Sequence, residues 1–120
     1  MSLYHRIKGV KGEQAAMEFL MKKGFTILEE NYCVQGGEID LIAVENDKIH
    51  FIEVKTRKPD DLYSGLEAVD RRKQKLLIRA AFKFCSEHII DLQPCFDVAL
   101  VCMSGSYVHS ISYFENAFDI

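Results

Sequence analysis

The chain has 120 residues, 48% of them apolar and 28% charged, with a formal net charge of −3. That length fits one domain spanning residues 1–120 with a single apolar core. No apolar stretch approaches the roughly 20 residues of a membrane-spanning helix, and no apolar run follows the basic residues between Met1 and Lys11, so neither a membrane partner nor a signal peptide is expected and a cytoplasmic location is the default.

Taken in chain order, Ala16, Phe19 and Leu20 repeat at helical spacing and predict a helix from about Lys11 to Lys23, stopped by Gly24. Phe25 to Val34 is rich in β-formers and predicts a strand, followed by a turn at Gln35-Gly36-Gly37. Glu38 to Val44 is a second strand, and Asn46-Asp47 closes a hairpin onto a third, Ile49 to Thr56. Lys58 to Ser64 reads as a polar loop. Leu66, Val69, Leu76, Leu77, Ala80 and Phe84 form the stripe of one long helix from about Gly65 to His88. Phe96 to Met103 is almost continuously apolar, as in a strand buried on both faces. Ser104-Gly105-Ser106 turns into a last strand, Tyr107 to Tyr113. The order α-β-β-β-α-β-β predicts an α/β fold: a mixed central β-sheet flanked by helices, with the long helix crossing between two strands.

Charged residues interrupt this pattern at informative places. Glu53 and Lys55 lie two apart in the third strand and share a face. Phe51 occupies one face of that strand, Ile52 and Val54 the other, so both sides are covered. Burying an acid and a base there costs several kcal/mol unless they pair or bind something; a Glu–Lys ion pair at the strand end is the plain structural alternative. Asp40 interrupts the apolar run of the second strand in the same way, and the hairpin makes the two strands neighbours. Two converging carboxylates repel unless a cation lies between them, and carboxylate oxygens with water suit Mg²⁺ or Mn²⁺. Lys55 would flank that ion, where an ammonium can orient a water or stabilise charge on a phosphate. Glu13 and Lys73 fall on the apolar stripes of the two helices and would point toward the same place.

Basic residues cluster at Lys55, Arg57 and Lys58 and again at Arg71, Arg72, Lys73, Lys75 and Arg79, although the overall acidity is unlike that of most nucleic-acid-binding domains. Cys33, Cys85, Cys95 and Cys102 show no CxxC pairing and read as reduced thiols, Cys85 and Cys102 within apolar runs. His5, His50, His88 and His109 have no zinc-ligand spacing and read as surface or packing residues. Phe114, Phe118 and Ile120 are either an apolar docking surface or a cover for the sheet.

Gly37-Glu38-Ile39-Asp40-Leu41-Ile42-Ala43, followed by Phe51-Ile52-Glu53-Val54-Lys55-Thr56-Arg57, resembles the signature of the YraN-like bacterial family, placed in the PD-(D/E)xK nuclease superfamily, and is similar to archaeal Holliday-junction resolvases. Gly12-Glu13, Gly24-Phe25, Ala68-Val69 with Lys73, Phe96-Asp97-Val98 and Asn116-Ala117-Phe118 extend the resemblance over nearly the whole chain. Ile39 stands where the superfamily's name has proline. The resemblance implies a restriction-endonuclease-like core, with Asp40, Glu53 and the carbonyl of Val54 as metal ligands, Lys55 as the catalytic lysine and Glu13 as an acid near the metal. It implies a Mg²⁺- or Mn²⁺-dependent endonuclease acting on DNA, branched DNA in particular. Arg57, Lys58, Arg71, Arg72 and Lys73 would be the nucleic-acid contacts, and a homodimer would match the paired action of resolvases. The alternative is a non-catalytic module that binds nucleic acid or a protein through the same fold.

Overall fold

The computed structural model describes residues 3–119, with side chains from residue 9 onward. Ile120 and the side chain of His5 lie outside the described residues. Helix α1 (Leu3–Lys22) leads into strands β1 (Thr26–Val34), β2 (Gly37–Glu45) and β3 (Lys48–Arg57). A single 3₁₀ turn at Pro59–Asp61 precedes α2 (Leu62–Glu67), α3 (Arg71–His88), β4 (Gln93–Ser104) and β5 (Tyr107–Phe118). One sheet holds all five strands in sequence order, antiparallel except for the parallel pair β3–β4, which the helical segment between them connects. The expected mixed sheet with a helical crossover is thus the observed architecture.

The crossover, however, is two helices rather than one. Asp70 leaves the helical conformation at φ −77°, ψ −178° and caps α3, its carboxylate accepting the N–H of Lys73 at 3.0 Å. A side-chain acceptor at this point satisfies an orphan helix-terminal donor and favours a new helix start over continuation. The apolar stripe hid this break, because Leu66 and Val69 pack into the same core as α3. The expected loop Lys58–Ser64 is accordingly a 3₁₀ turn and the first part of α2.

Other ends move outward. Helix α1 starts eight positions before Lys11, since Leu3, Ile7 and Val10 continue helical spacing across Gly9. Strand β4 begins at Gln93 because its parallel register with β3 runs back to Lys48; Pro94, which lacks an N–H, sits at its second residue, where strands tolerate it. Strand β5 passes Tyr113 through an irregularity at Asn116, whose φ is 54° and whose N–H bonds the Asp97 carboxylate at 2.9 Å. Phe118 thereby stacks on Phe96 at 5.3 Å and covers the sheet, while Phe114 remains 38% exposed.

Two apolar layers clothe the sheet. On one face Ile39, Ile42, Ile49, Phe51 and Val98 pack against Leu77, Ala80, Ala81 and Phe84 of α3. On the other, Leu41, Ala43, Ile52, Ala99, Val101 and Met103 pack against Ala16 and Leu20 of α1. Strands β3 and β4 are therefore covered on both sides, the arrangement their apolar runs require.

Candidate functional site

Where the β2–β3 ladder ends, its last paired residues are Leu41 and Ile52. One step further, Asp40 and Glu53 face each other, and the Asp40 carboxylate replaces a backbone acceptor by taking the N–H of Val54 at 2.8 Å. The strands part here into a cavity of about 730 Å³ lined by residues of α1, β2, β3, α2 and α3. Its wall carries Glu13, Glu38, Asp40, Glu53 and Asp61 against Lys55, Arg57, Lys58 and Lys73, with Val54, Thr56 and Ser64 between them.

Glu53 is the most deeply buried of these groups. Its side chain is 3% exposed. Oε1 lies 3.2 Å from the Lys55 ammonium and 3.5 Å from that of Lys73, whereas Oε2 is buried with no hydrogen-bond partner. Lys73 also reaches Glu38 at 3.1 Å, which joins α3 to the start of β2. Burial pushes the Asp40 carboxyl up, and the Glu53 charge adds to it; the Val54 N–H and Lys73 only partly offset them, leaving Asp40 at about 7. Glu13 is likewise raised by burial, against a lowering hydrogen bond to Asn31, with the charges of Glu53, Glu30 and Glu38 adding to the rise. Burial works against the Lys73 ammonium, but Glu53, Glu38 and Asp40 outweigh it and hold its pKa above the ordinary value. Both ammonium groups thus gather on Oε1 of Glu53, and Oε2 is left without a partner.

Backbone packing brings these elements together. Gly12 of α1 lies directly over Thr56, where a Cβ would have no room. This contact sets α1 close to the end of β3 and seats Glu13, the next residue, at the cavity. Gly65 is buried in α2 against Leu100 and Arg57. Arg57 donates to Ser64 Oγ at 2.9 Å and to its neighbour's Thr56 carbonyl at 2.8 Å, so its guanidinium also ties β3 to α2.

The structure thus gathers Glu13, Asp40, Glu53, Val54, Lys55, Arg57, Lys58 and Lys73 around one cavity. Arg71 and Arg72 are exposed at the start of α3 and do not line it; Arg71 borders a separate depression with Gln74, Lys75, Ile78 and Asp119. Sequence reasoning passed over Glu38, Asp61 and Ser64 as site residues. Glu38 could have been found, being two residues from Asp40 and so on its face. Asp61 and Ser64 reach the cavity only because their expected loop is helical.

The model of the family described as uncharacterised protein family UPF0102 matches residues 12–101. A UPF0102 protein of Nitrosomonas europaea is 38% identical over 112 residues, covering 93% of either chain. One of Prosthecochloris aestuarii is 41% identical over 106 residues, covering 88% of this chain and 84% of its own, and one of Flavobacterium psychrophilum is 37% identical over 114 residues, covering 95% of each. The YraN-like resemblance and these matches lead to the same family. With the motif strands, Glu13 and Lys73 all inside the matched span, the chain belongs to the UPF0102 family.

Proposed function

We propose that this protein is a metal-dependent endonuclease of the PD-(D/E)xK superfamily, hydrolysing phosphodiester bonds in structured or branched DNA as Holliday-junction resolvases do. The observation that carries the reading is Glu53 Oε2, a buried carboxylate oxygen without a partner in a cavity shared with Asp40. A buried anionic oxygen left unsatisfied is costly, and Asp40 beside it is raised by burial and by the Glu53 charge, both of which a bound cation would offset. A hard divalent cation fits that donor set. Glu53 and Asp40 would hold Mg²⁺ or Mn²⁺, Asp40 through Oδ1 because Oδ2 is committed to Val54, with the Val54 carbonyl as a further oxygen donor and Glu13 beside them. When bound, the ion would supply Lewis acidity toward the scissile phosphate and lower the pKa of the attacking water.

The chain's own groups do the rest. Lys55, held beside Glu53, is placed to orient a water and to balance the negative charge that grows on the phosphorus oxygens as the new P–O bond forms. Lys73 also reaches Glu53 Oε1, at 3.5 Å, and would share in balancing that charge. The ester bond to the leaving oxygen breaks as that oxygen takes up a proton from solvent, and the proton lost by the attacking water passes to solvent. Lys58 and Arg57 at the cavity wall, with Arg71 and Arg72 further out, would contact backbone phosphates, which positions a duplex without reading its sequence.

The test is cleavage of linear, flapped, nicked and four-way DNA by the purified protein with and without Mn²⁺. We expect cation-dependent cleavage that falls about 100-fold or more in Asp40→Asn, Glu53→Gln and Lys55→Ala, each variant folding as the parent does. Equal rates in Glu53→Gln and wild type would remove the site from the chemistry. Salt-sensitive DNA binding without cleavage of any substrate would identify a binding module instead.

A further inference from the structure

A second set of donors lies on the opposite face of the sheet. A ring nitrogen of His50, the thiol of Cys95 and a carboxylate oxygen of Glu115 all lie within 4.8 Å of one another, the only such trio among the described residues. His50 is fully buried, and its Nδ1 is 2.6 Å from Asp97, itself fully buried. Asp97 also accepts from the Tyr113 hydroxyl and from the N–H of Asn116, so its orientation is locked. Accepting from Nδ1, the Asp97 carboxylate selects, in the neutral ring, the tautomer whose lone pair is on Nε2; burial works against the protonated ring, but Asp97, Glu115 and Glu45 outweigh it and raise the His50 pKa, so a cation would displace a proton there. That Nε2 is buried and has no hydrogen-bond partner. Glu45 Oε2 lies 3.4 Å from it.

We propose that Nε2 of His50, Sγ of Cys95 and the carboxylate of Glu115 form a site for a thiophilic divalent cation of the Zn²⁺ class. Imidazole and thiolate donors favour Zn²⁺ over the Mg²⁺ or Mn²⁺ suited to the all-oxygen site around Asp40. A carboxylate behind the ligating imidazole is the arrangement that fixes the tautomer and raises its basicity at zinc sites. The three donors come from successive strands of the sheet, β3, β4 and β5, so the cation would cross-link them at the end remote from the nuclease cavity. Lys48, now 3.2 Å from Glu115, occupies the positive role there and would have to turn away.

The experiment uses the full chain, stripped with chelator and titrated with Zn²⁺ and Co²⁺. We expect one Zn²⁺ per chain, a rise in melting temperature, and a thiolate-to-cobalt charge-transfer band with Co²⁺. Cys95→Ser should abolish the band. Glu115→Gln, a change at an exposed side chain that leaves the core intact, should weaken Zn²⁺ binding about ten-fold or more. Asp40→Asn/Glu53→Gln should retain the Co²⁺ band, which separates this site from the nuclease site. Unaltered Zn²⁺ affinity in Glu115→Gln, absence of the Co²⁺ band in the parent, or its loss in the Asp40/Glu53 variant would each overturn the assignment.

Discussion

Asp40 is the residue whose chemistry most directly reports the site. Its carboxyl sits at about 7 in the fold against an ordinary value of 3.8. A raised carboxyl binds its proton more tightly folded than unfolded, so folding is favoured below the ordinary value and that contribution is lost as pH rises to about 7. Asparagine keeps an oxygen for the Val54 N–H but cannot ionise. Asp40→Asn should therefore match wild type in stability at about pH 4 and exceed it at about pH 8, as chemical denaturation at the two pH values would measure. Added Mn²⁺ at the higher pH should raise the melting temperature of wild type more than that of Asp40→Asn, because the cation rewards the ionised form. A pH-independent difference between the two proteins would show that Asp40 is not the group under strain.

At the scale of elements, two junctions hold the cavity open and in register. The first is the close approach of α1 to β3 at Gly12 and Thr56. Gly12→Ala should destabilise the protein by about 1–3 kcal/mol through overpacking, although alanine is the better helix former by about 1 kcal/mol. In a Thr56→Ala background the clash is largely removed, and the same substitution should become neutral or stabilising; urea denaturation of the four proteins gives the sign. The second junction is Asp70, which divides α2 from α3. Asp70→Ala should cost about 1 kcal/mol as a lost cap. Because the capped N–H belongs to Lys73, the same change should loosen the lysine that flanks Glu53.

At the scale of the whole molecule, the sheet separates two cores that, among the described residues, share no helix. Ile49 belongs to the α3 core and Ile52 to the α1 core, both fully buried on opposite faces of β3. Each isoleucine-to-valine change should cost about 0.5–1.5 kcal/mol, and the pair should add to within about 0.5 kcal/mol. A larger coupling would mean that strain crosses the sheet. No helix among the described residues is long and apolar enough to cross a membrane.

Much of this was legible one-dimensionally because periodicity and local turn chemistry are local. The alternation in β2 and β3, the Asn46-Asp47 hairpin and the doubly buried β4 follow from side-chain spacing alone, and these already place Asp40, Glu53 and Lys55 on one face. The break at Asp70 was not legible, because a capped bend that keeps Leu66 and Val69 in the core preserves the apolar stripe on which a helix is recognised. Nor could spacing join His50, Cys95 and Glu115, which come from three strands and meet only through the sheet's register. Which oxygen of Glu53 and which nitrogen of His50 are left without a partner was likewise decided in three dimensions, since satisfaction of a buried polar atom depends on every element packed around it.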